Sequence, residues 1–292
     1  MKNLLFLFVF LFAAAQTAFS QDFSLGFQAG LNYSTFKGRL EADPGGNFPE
    51  EMVTTSGFMI GATANYKLLD ILGLRGELVF SQLGGRYRYN GLSYLFFPAD
   101  SGKKILALGN KSLTLNISNA YFYLPLSVTL RPIKQIELSA GAGAGFLISS
   151  TAVGQLRFNG ITEGGQAIDS FELSLAYNYL RDQTGDATGN KETLLLDGEA
   201  VSIPQKAGAY WEAPRLEQGT FFNRFDFSLH AALSFYFGKS LFVGGKIQYG
   251  LTDVTNNAYD FSAYGLDAQN ERIPREDKDI QISYQLRVGF NF

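Results

Sequence analysis

Apolar and polar residues alternate along much of this chain, and the alternation is cleanest in Asp279–Phe292. Every second residue from Ile280 to Phe292 is apolar, and the residues between them are polar or small. A period of two predicts a β-strand with one apolar face and one polar face. A bare apolar edge strand promotes aggregation in water, whereas closure of a barrel in a lipid bilayer removes the edge and covers that face. We therefore expect the rest of the chain to supply the strands against which this one closes.

Seven further stretches alternate in the same way and are predicted to be strands. In chain order they are Phe23–Tyr33, Thr55–Leu68, Leu72–Tyr89, Ser112–Arg131, Gln135–Ser150, Phe221–Phe237 and Ser240–Asp253. The connections between the strands are long and short in turn. The long ones are Ser34–Val53, Asn90–Lys111, Thr151–Thr220 and Val254–Lys278, and the short ones are Leu69–Ile71, Pro132–Lys134 and Gly238–Lys239. Outer-membrane barrels combine short periplasmic turns, long extracellular loops and an even number of strands, so an all-β, transmembrane, antiparallel up-and-down barrel of eight strands is predicted.

The longest insertion, Thr151–Thr220, contains an alternating run of its own, Phe171–Leu180. One interpretation is an extracellular hairpin that extends the barrel wall above the membrane. The other is half of an additional pair of spanning strands, which gives a ten-stranded barrel. Eight strands are preferred, because no short turn is found in the insertion to serve a fifth hairpin on the periplasmic side.

The polar face decides which side of the wall meets lipid. It is dominated by Gly, Ser, Gln, Asn and Thr, whereas the outer wall of a water-soluble barrel carries many charges. Small residues such as Gly141, Gly143 and Gly145 suit a narrow interior. The apolar face is therefore predicted to point outward. The charged and ionisable residues assigned to the inner face are Arg75, Glu77, Glu137, Asp226, His230, Lys246 and Arg287. Because an unpaired buried charge is costly, we expect these side chains to pair and to fill the lumen rather than to line an open pore.

Composition supports a membrane location. Charged residues make up 17% and aromatic residues 15% of the chain, and soluble domains usually contain about 25% charged residues. The formal net charge of −3 offers no basic field for nucleic acid. The chain has no cysteine and a single histidine, so no disulfide framework, thiolate site or metal cluster is predicted.

The N-terminus has the pattern of an export signal. Lys2 precedes the apolar run Leu4–Ala15, and the small residues Ala18 and Ser20 lie before Gln21. Cleavage after Ser20 is predicted, so that residues 1–20 are a signal peptide and residues 21–292 form the barrel domain. An N-terminal anchor helix is the alternative, and the shortness of the run argues against it.

Candidate chemistry is sparse. His230 lies on the polar side of its strand near Ser228 and Ser234, and a base beside a serine is the arrangement of a lipid hydrolase. Its predicted place inside the barrel favours a structural role, so no catalytic residue, cofactor or metal is predicted. The exposed pair Tyr210 and Trp211 either contacts a sugar or partner or packs a small core within its own loop, and the second interpretation is preferred.

Several stretches in order resemble the PorT-type outer-membrane β-barrel proteins of Bacteroidota. They are Leu74–Tyr87, Tyr121–Pro132, Leu138–Ser149, Asn223–Phe235, Gly245–Val254 and the terminal strand ending in Phe292. The resemblance implies an eight-stranded outer-membrane barrel without a catalytic residue pattern. One founding member is similar to components linked to protein secretion across the outer membrane, a role that a shared fold does not carry over. The insertion after the fifth strand is longer than the family pattern.

The leading functional hypothesis is a non-enzymatic barrel that binds a partner or ligand through its extracellular loops, above all Thr151–Thr220. Passive transport of small solutes is the alternative, and lipid modification by an enzyme is a third. The expected partners are outer-membrane lipid, the barrel-insertion machinery acting on the strand that ends in Phe292, and an extracellular protein or glycan. No nucleic acid is expected.

Overall fold

The computed structural model describes residues 22–43, 45–217, 219–238, 240–275 and 277–292. The predicted signal peptide, residues 1–20, lies outside the described residues. Within them the chain folds into β-strands and one single-turn 3-10 helix, Asn257–Tyr259. No helix in this part of the chain combines the length and apolar character needed to cross a membrane.

The strands are numbered in chain order. They are β1 Phe23–Lys37, β2 Glu50–Val53, β3 Thr55–Lys67, β4 Leu72–Pro98, β5 Lys104–Ile133, β6 Ile136–Thr162, β7 Ala167–Asn178, β8 Ala187–Leu196, β9 Glu199–Ala207, β10 Phe225–Phe237, β11 Leu241–Gly250, β12 Phe261–Leu266, β13 Arg272–Pro274 and β14 Ile280–Asn291. The all-β prediction is confirmed.

Eight strands pair in a continuous order, β6–β10–β11–β14–β1–β3–β4–β5, and β5 pairs again with β6. All of these pairings are antiparallel. We call this set the eight-strand circuit. The terminal strand β14 has a neighbour on each side, since Leu286 pairs with Leu31 of β1 and with Gly245 of β11. It is therefore not an edge strand.

The two faces of the circuit differ as the alternation predicts. On β5, Leu126 is 70% exposed and its neighbour Ser127 is 5% exposed. On β14, Leu286 is exposed and Arg287 is buried, and on β1 the same holds for Phe27 and Gln28. Apolar side chains therefore point away from the circuit and polar ones point into it, which confirms the predicted orientation of the faces.

Three strands continue well beyond their predicted ends. The segment Asn90–Lys111, predicted as a loop, pairs with itself from Gly91–Lys111 to Pro98–Lys104 and turns only at residues 99–103. β6 likewise continues past Ser150 to Thr162. We call β4 after residue 86, β5 up to residue 117 and β6 after residue 150, together with β7, the extension.

The prediction of residues 151–220 as a loop is wrong for most of that segment, because its backbone groups pair in β6, β7, β8 and β9. The alternating run Phe171–Leu180 falls largely in β7, which pairs with β6 between Thr151 and Ile161. β10 pairs with β6 only between Ile136 and Phe146. β7 therefore pairs with the part of β6 beyond the circuit and is not inserted between β6 and β10.

Most inward-facing positions of the extension are apolar, and Lys111 of β5 is an exception. On β5 the inward-facing side chain changes from Ser127 in the circuit to Ile117 and Leu115 in the extension, while the outward one changes from Leu126 to Asn116. Alternate side chains thus continue to point inward and outward along β5, but in the extension most of the inward ones are apolar and most of the outward ones are polar. The extension encloses a hydrophobic core, and the circuit encloses polar groups.

Candidate functional site

Charged side chains from three strands meet inside the circuit. Glu77 of β4 accepts a hydrogen bond from Lys246 Nζ of β11 at 3.1 Å and another from Arg287 Nη1 of β14 at 3.4 Å. Gln28 Nε2 of β1 donates to the same carboxylate at 2.9 Å. All four side chains are buried. A single carboxylate therefore neutralises part of the charge of two buried cations.

A second group surrounds Glu137. Its carboxylate lies 2.8 Å from Arg75 Nη1 and 2.6 Å from Arg131 Nη2. The hydroxyl of Tyr236 donates to Glu137 at 3.2 Å and accepts from Arg75 Nη2 at 3.1 Å. Arg131 also lies over the Tyr236 ring, 4.1 Å from its centroid. These contacts place an arginine on each side of one buried carboxylate.

Asp226 and His230 stand apart from these ion pairs. Asp226 accepts hydrogen bonds from Thr252 Oγ1 at 2.7 Å and from the hydroxyl of Tyr123. His230 Nε2 and Ser127 Oγ are hydrogen-bonded at 2.7 Å. The structure therefore brings five of the seven predicted inner residues into ion pairs, Arg75, Glu77, Glu137, Lys246 and Arg287. The contributions of Tyr236, Gln28 and Arg131 were not predicted, because neutral side chains and a residue next to a turn give no charge-pattern signal.

The serine beside His230 is not one of those expected from the sequence. Ser234 donates no bond to the histidine and instead accepts one from Arg287 Nη2 at 3.2 Å, and the serine in contact is Ser127 of β5. Among the described residues, no carboxylate is hydrogen-bonded to His230. A nucleophilic serine needs a base that is itself oriented by a third group, so this buried pair has two of the three parts of a hydrolase site.

Above the charged groups, the extension encloses a cavity of about 300 Å³. Its aliphatic wall comes from neighbouring strands and includes Leu115 and Ile117 of β5, Leu156 of β6 and Leu173 and Leu175 of β7. All five side chains are buried. Apolar walls of this size are typical of small-molecule sites.

Aromatic residues complete the wall. Tyr179, Trp211, Phe221 and Phe222 line the cavity together with Tyr177, and the Tyr179 ring packs at 5.0 Å from Phe221 and 5.1 Å from Phe222. Trp211 is 7% exposed. Its neighbour Tyr210 donates from its hydroxyl to the backbone oxygen of Tyr179 at 2.8 Å. Both residues are buried, as the preferred prediction requires, but Trp211 belongs to the hydrophobic core of the extension, to which residues outside its own loop such as Leu115 contribute.

The last connection closes one side of the cavity through Arg275. This guanidinium lies 3.0 Å from Glu50, 3.1 Å from Asp277 and 3.9 Å from Asp260. Glu50 falls in Ser34–Val53, which the sequence predicts as a loop. It is nevertheless buried, because β2 pairs with β4 and turns its carboxylate towards Arg275.

Burial, together with the hydrogen bond to Asp277 and its charge, raises the pKa of Asp260 to about 8. Docking of the last connection therefore favours a protonated Asp260, and this contribution is lost as the pH rises through about 8. Burial raises the pKa of Asp253 and of Asp279 as well, which acts in the same direction.

Hydrogen exchange of the β12–β13 hairpin tests this pH dependence. After correction for intrinsic exchange, we expect opening of the hairpin to increase about tenfold between pH 6 and pH 9 in the native sequence, as its acidic groups lose protons. Asp260→Asn stays neutral at both values and keeps a donor to Asp277, so its dependence is expected to be flatter. Equal slopes in the two proteins would show that Asp260 does not control docking.

An all-β chain with an apolar outer face and buried ion pairs has the character of an outer-membrane β-barrel protein. The chain belongs to the family described as outer membrane protein beta-barrel domain, whose sequence model matches residues 14–256. This membership implies location in the outer membrane.

Solved structures of outer-membrane proteins are similar to the chain at low identity. Ail, the attachment invasion locus protein of Yersinia pestis, is 12% identical, with 93% of this chain and 100% of that chain covered and a TM-score of 0.34. OprG from Pseudomonas aeruginosa is 10% identical, with 91% and 95% covered and a TM-score of 0.29. Neisserial surface protein A is 10% identical, with 91% and 95% covered and a TM-score of 0.28. No curated protein matches the chain.

Proposed function

We propose that the eight-strand circuit is a closed barrel that spans the outer membrane, and that its ligand binds in the cavity of the extension on the extracellular side. The observation that carries this proposal is the change of polarity along single strands. Charged side chains fill the circuit, whereas an apolar cavity lies at the other end of the same strands. A filled lumen opposes free passage of solutes, and an apolar cavity favours binding.

The exchange of polarity on the outward face supports the position of the membrane. Leu126 and Leu124 of β5 are exposed and apolar, whereas the outward positions of the extension on that strand include Asn116 and Thr114. Hydrocarbon excludes such polar groups, so the lipid boundary falls between the two sets. Lipid of the outer membrane then surrounds the circuit, and the extension stands in the extracellular medium.

The PorT-type resemblance of the spanning strands supports assignment to that group within Bacteroidota, with export through the signal peptide of residues 1–20. Insertion then proceeds through the outer-membrane assembly machinery acting on β14 and Phe292. The link to protein secretion belongs to the same assignment. We also propose that the protein is not an enzyme, because the Ser127–His230 pair is buried and engaged in its own hydrogen bond.

Trp211 supplies a direct test of binding, since it is the only tryptophan of the chain and lines the cavity. Bromine quenches indole fluorescence on contact. We expect 4-bromobenzamide, an uncharged aromatic probe, to quench Trp211 saturably in protein reconstituted in lipid vesicles.

Leu156→Phe fills the cavity from β6 and is expected to reduce this quenching several-fold. Val153→Phe adds the same ring on the exposed face of the same strand and serves as the matched control. Heat-modifiable mobility on gels verifies that both variants are folded. Quenching that rises linearly with probe concentration, and equally in all three proteins, would contradict a binding cavity.

A further inference from the structure

Lys111 is a half-buried cation of the cavity wall without an ion-pair partner, whereas Arg39, the other lining cation outside the ion pairs of the described residues, is exposed. Lys111 lies on β5 at an inward-facing position, four residues before Leu115, and lines the cavity with it. Its ammonium group lies 3.5 Å from the backbone oxygen of Tyr94 and 5.9 Å from the centroid of the Tyr94 ring. None of the ion pairs in the described part of the chain includes Lys111.

The neighbouring charges of the wall are already engaged. Arg272 lies 3.8 Å from Glu212 and stacks at 4.8 Å from the centroid of Phe96. Arg275 is held by Glu50 and Asp277. The carboxyl group of Asp260, whose pKa burial raises to about 8, carries little negative charge at neutral pH.

The balance of charge in the wall therefore favours an anion at Lys111. A half-buried ammonium loses hydration without gaining a counter-ion, and a ligand that supplies a carboxylate restores that interaction. Much of the remaining wall is apolar, so an anionic group attached to an apolar body gains contacts that an inorganic anion does not.

The aromatic residues of the cavity wall indicate the chemistry of the apolar part of the ligand. Tyr177, Tyr179, Trp211 and Phe222 present aromatic rings to a volume of about 300 Å³. Aromatic side chains pack best against flat apolar groups, through stacked or edge-to-face contacts. The volume matches a small molecule rather than a peptide segment or a lipid with several chains.

We propose that the cavity binds a small carboxylic acid with an aromatic or similarly flat apolar body, whose carboxylate contacts Lys111 and whose body packs against the aromatic wall. This inference rests on the proposed binding function and specifies the chemistry of the occupant.

Two isosteric probes separate charge from shape. 4-Bromobenzoate and 4-bromobenzamide present the same ring and bromine, and only the benzoate is anionic. In vesicles containing the native protein, we expect the benzoate to quench Trp211 at about tenfold lower concentration, since a hydrogen bond to a charged group contributes more than a neutral one.

Lys111→Met is expected to abolish this preference, so that the benzoate and the benzamide quench at similar concentrations, whereas Lys111→Arg is expected to retain it. Lys104→Met removes an exposed lysine of the same strand that does not line the cavity and is expected to behave like the native protein. Saturable binding of both probes with equal affinity would overturn the carboxylate inference and leave the binding proposal standing. Absence of saturable quenching by either probe would overturn both. The native protein's relative affinity for the benzoate and the benzamide tests the carboxylate inference even where a variant does not fold.

Discussion

Glu77→Gln is expected to destabilise the folded protein by about 3–5 kcal/mol, because it leaves two buried cations without their shared carboxylate. The side chain of Glu77 is 2% exposed, and those of Lys246 and Arg287 are 3% and 1% exposed. Glutamine still offers one oxygen to the ammonium and the guanidinium, but it supplies no negative charge. Removing one partner from a buried ion pair costs more than the pair contributes relative to an apolar replacement.

Urea unfolding in lipid vesicles, followed by Trp211 fluorescence, measures this loss. Glu51→Gln is the matched control, because Glu51 pairs with Arg88 at 3.2 Å on the exposed side of β2 and β4 and is expected to change the free energy of unfolding by about 0–1 kcal/mol. Adding Lys246→Met to Glu77→Gln is expected to recover part of the loss, since it removes one of the unpaired charges.

Measurement of ion conductance tests independently whether the buried ion pairs fill the interior of the circuit. The native protein in planar bilayers is expected to give no stable large openings, because the ion pairs of the circuit are buried and occupy its interior. Stable large openings of the native protein, or a Glu77→Gln variant as stable as the Glu51→Gln control, would contradict the filled lumen.

Strand positions and face orientation follow from local pattern. In Ile280–Asn291 successive side chains point to opposite faces of the strand, and the large difference in polarity between odd- and even-numbered residues predicts which face is exposed. The same reasoning failed in Asn90–Lys111, because Tyr94–Phe97 and Ile105–Leu108 are runs of consecutive apolar residues and do not alternate. The sequence signal that was missed is the change in polarity of the inward face along one strand. Leu113 and Leu115 are apolar and share the inward face of β5 with Ser127, which indicates that this face continues from the polar interior of the circuit into the hydrophobic core of the extension.

The contacts of the candidate site could not be predicted from the local sequence pattern, because they depend on the register in which distant strands pair. Ser127 and His230 are 103 positions apart, and Glu50 and Arg275 are 225 apart. The single histidine could be assigned to the inner face from parity, but its partner could not, since several serines share that face. The cavity likewise needs β4 to β7 and the last connection at once, and the sequence offers no pairing signal between them.

Leu126→Lys tests whether the outward face of β5 lies in the hydrocarbon region of the membrane. Leu126 lies near the middle of the apolar outward face of β5, between Leu124 and Val128, and is 70% exposed. A lysine at the midplane of a spanning strand costs about 2–4 kcal/mol, whereas one near or beyond the interface costs about 0–1 kcal/mol. The expected result is therefore a large loss of stability at a position where a water-exposed leucine would tolerate lysine.

Leu92→Lys provides the comparison, because Leu92 is 60% exposed on β4 in the extension. If the extension stands in water, this variant unfolds at nearly the same urea concentration as the native protein, and only Leu126→Lys unfolds earlier. Exposure alone cannot separate the two positions, so a difference between them has to come from what covers Leu126. Equal, small effects at both sites would mean that the outer face of the circuit meets water, and the assignment of a membrane-spanning barrel would then be wrong.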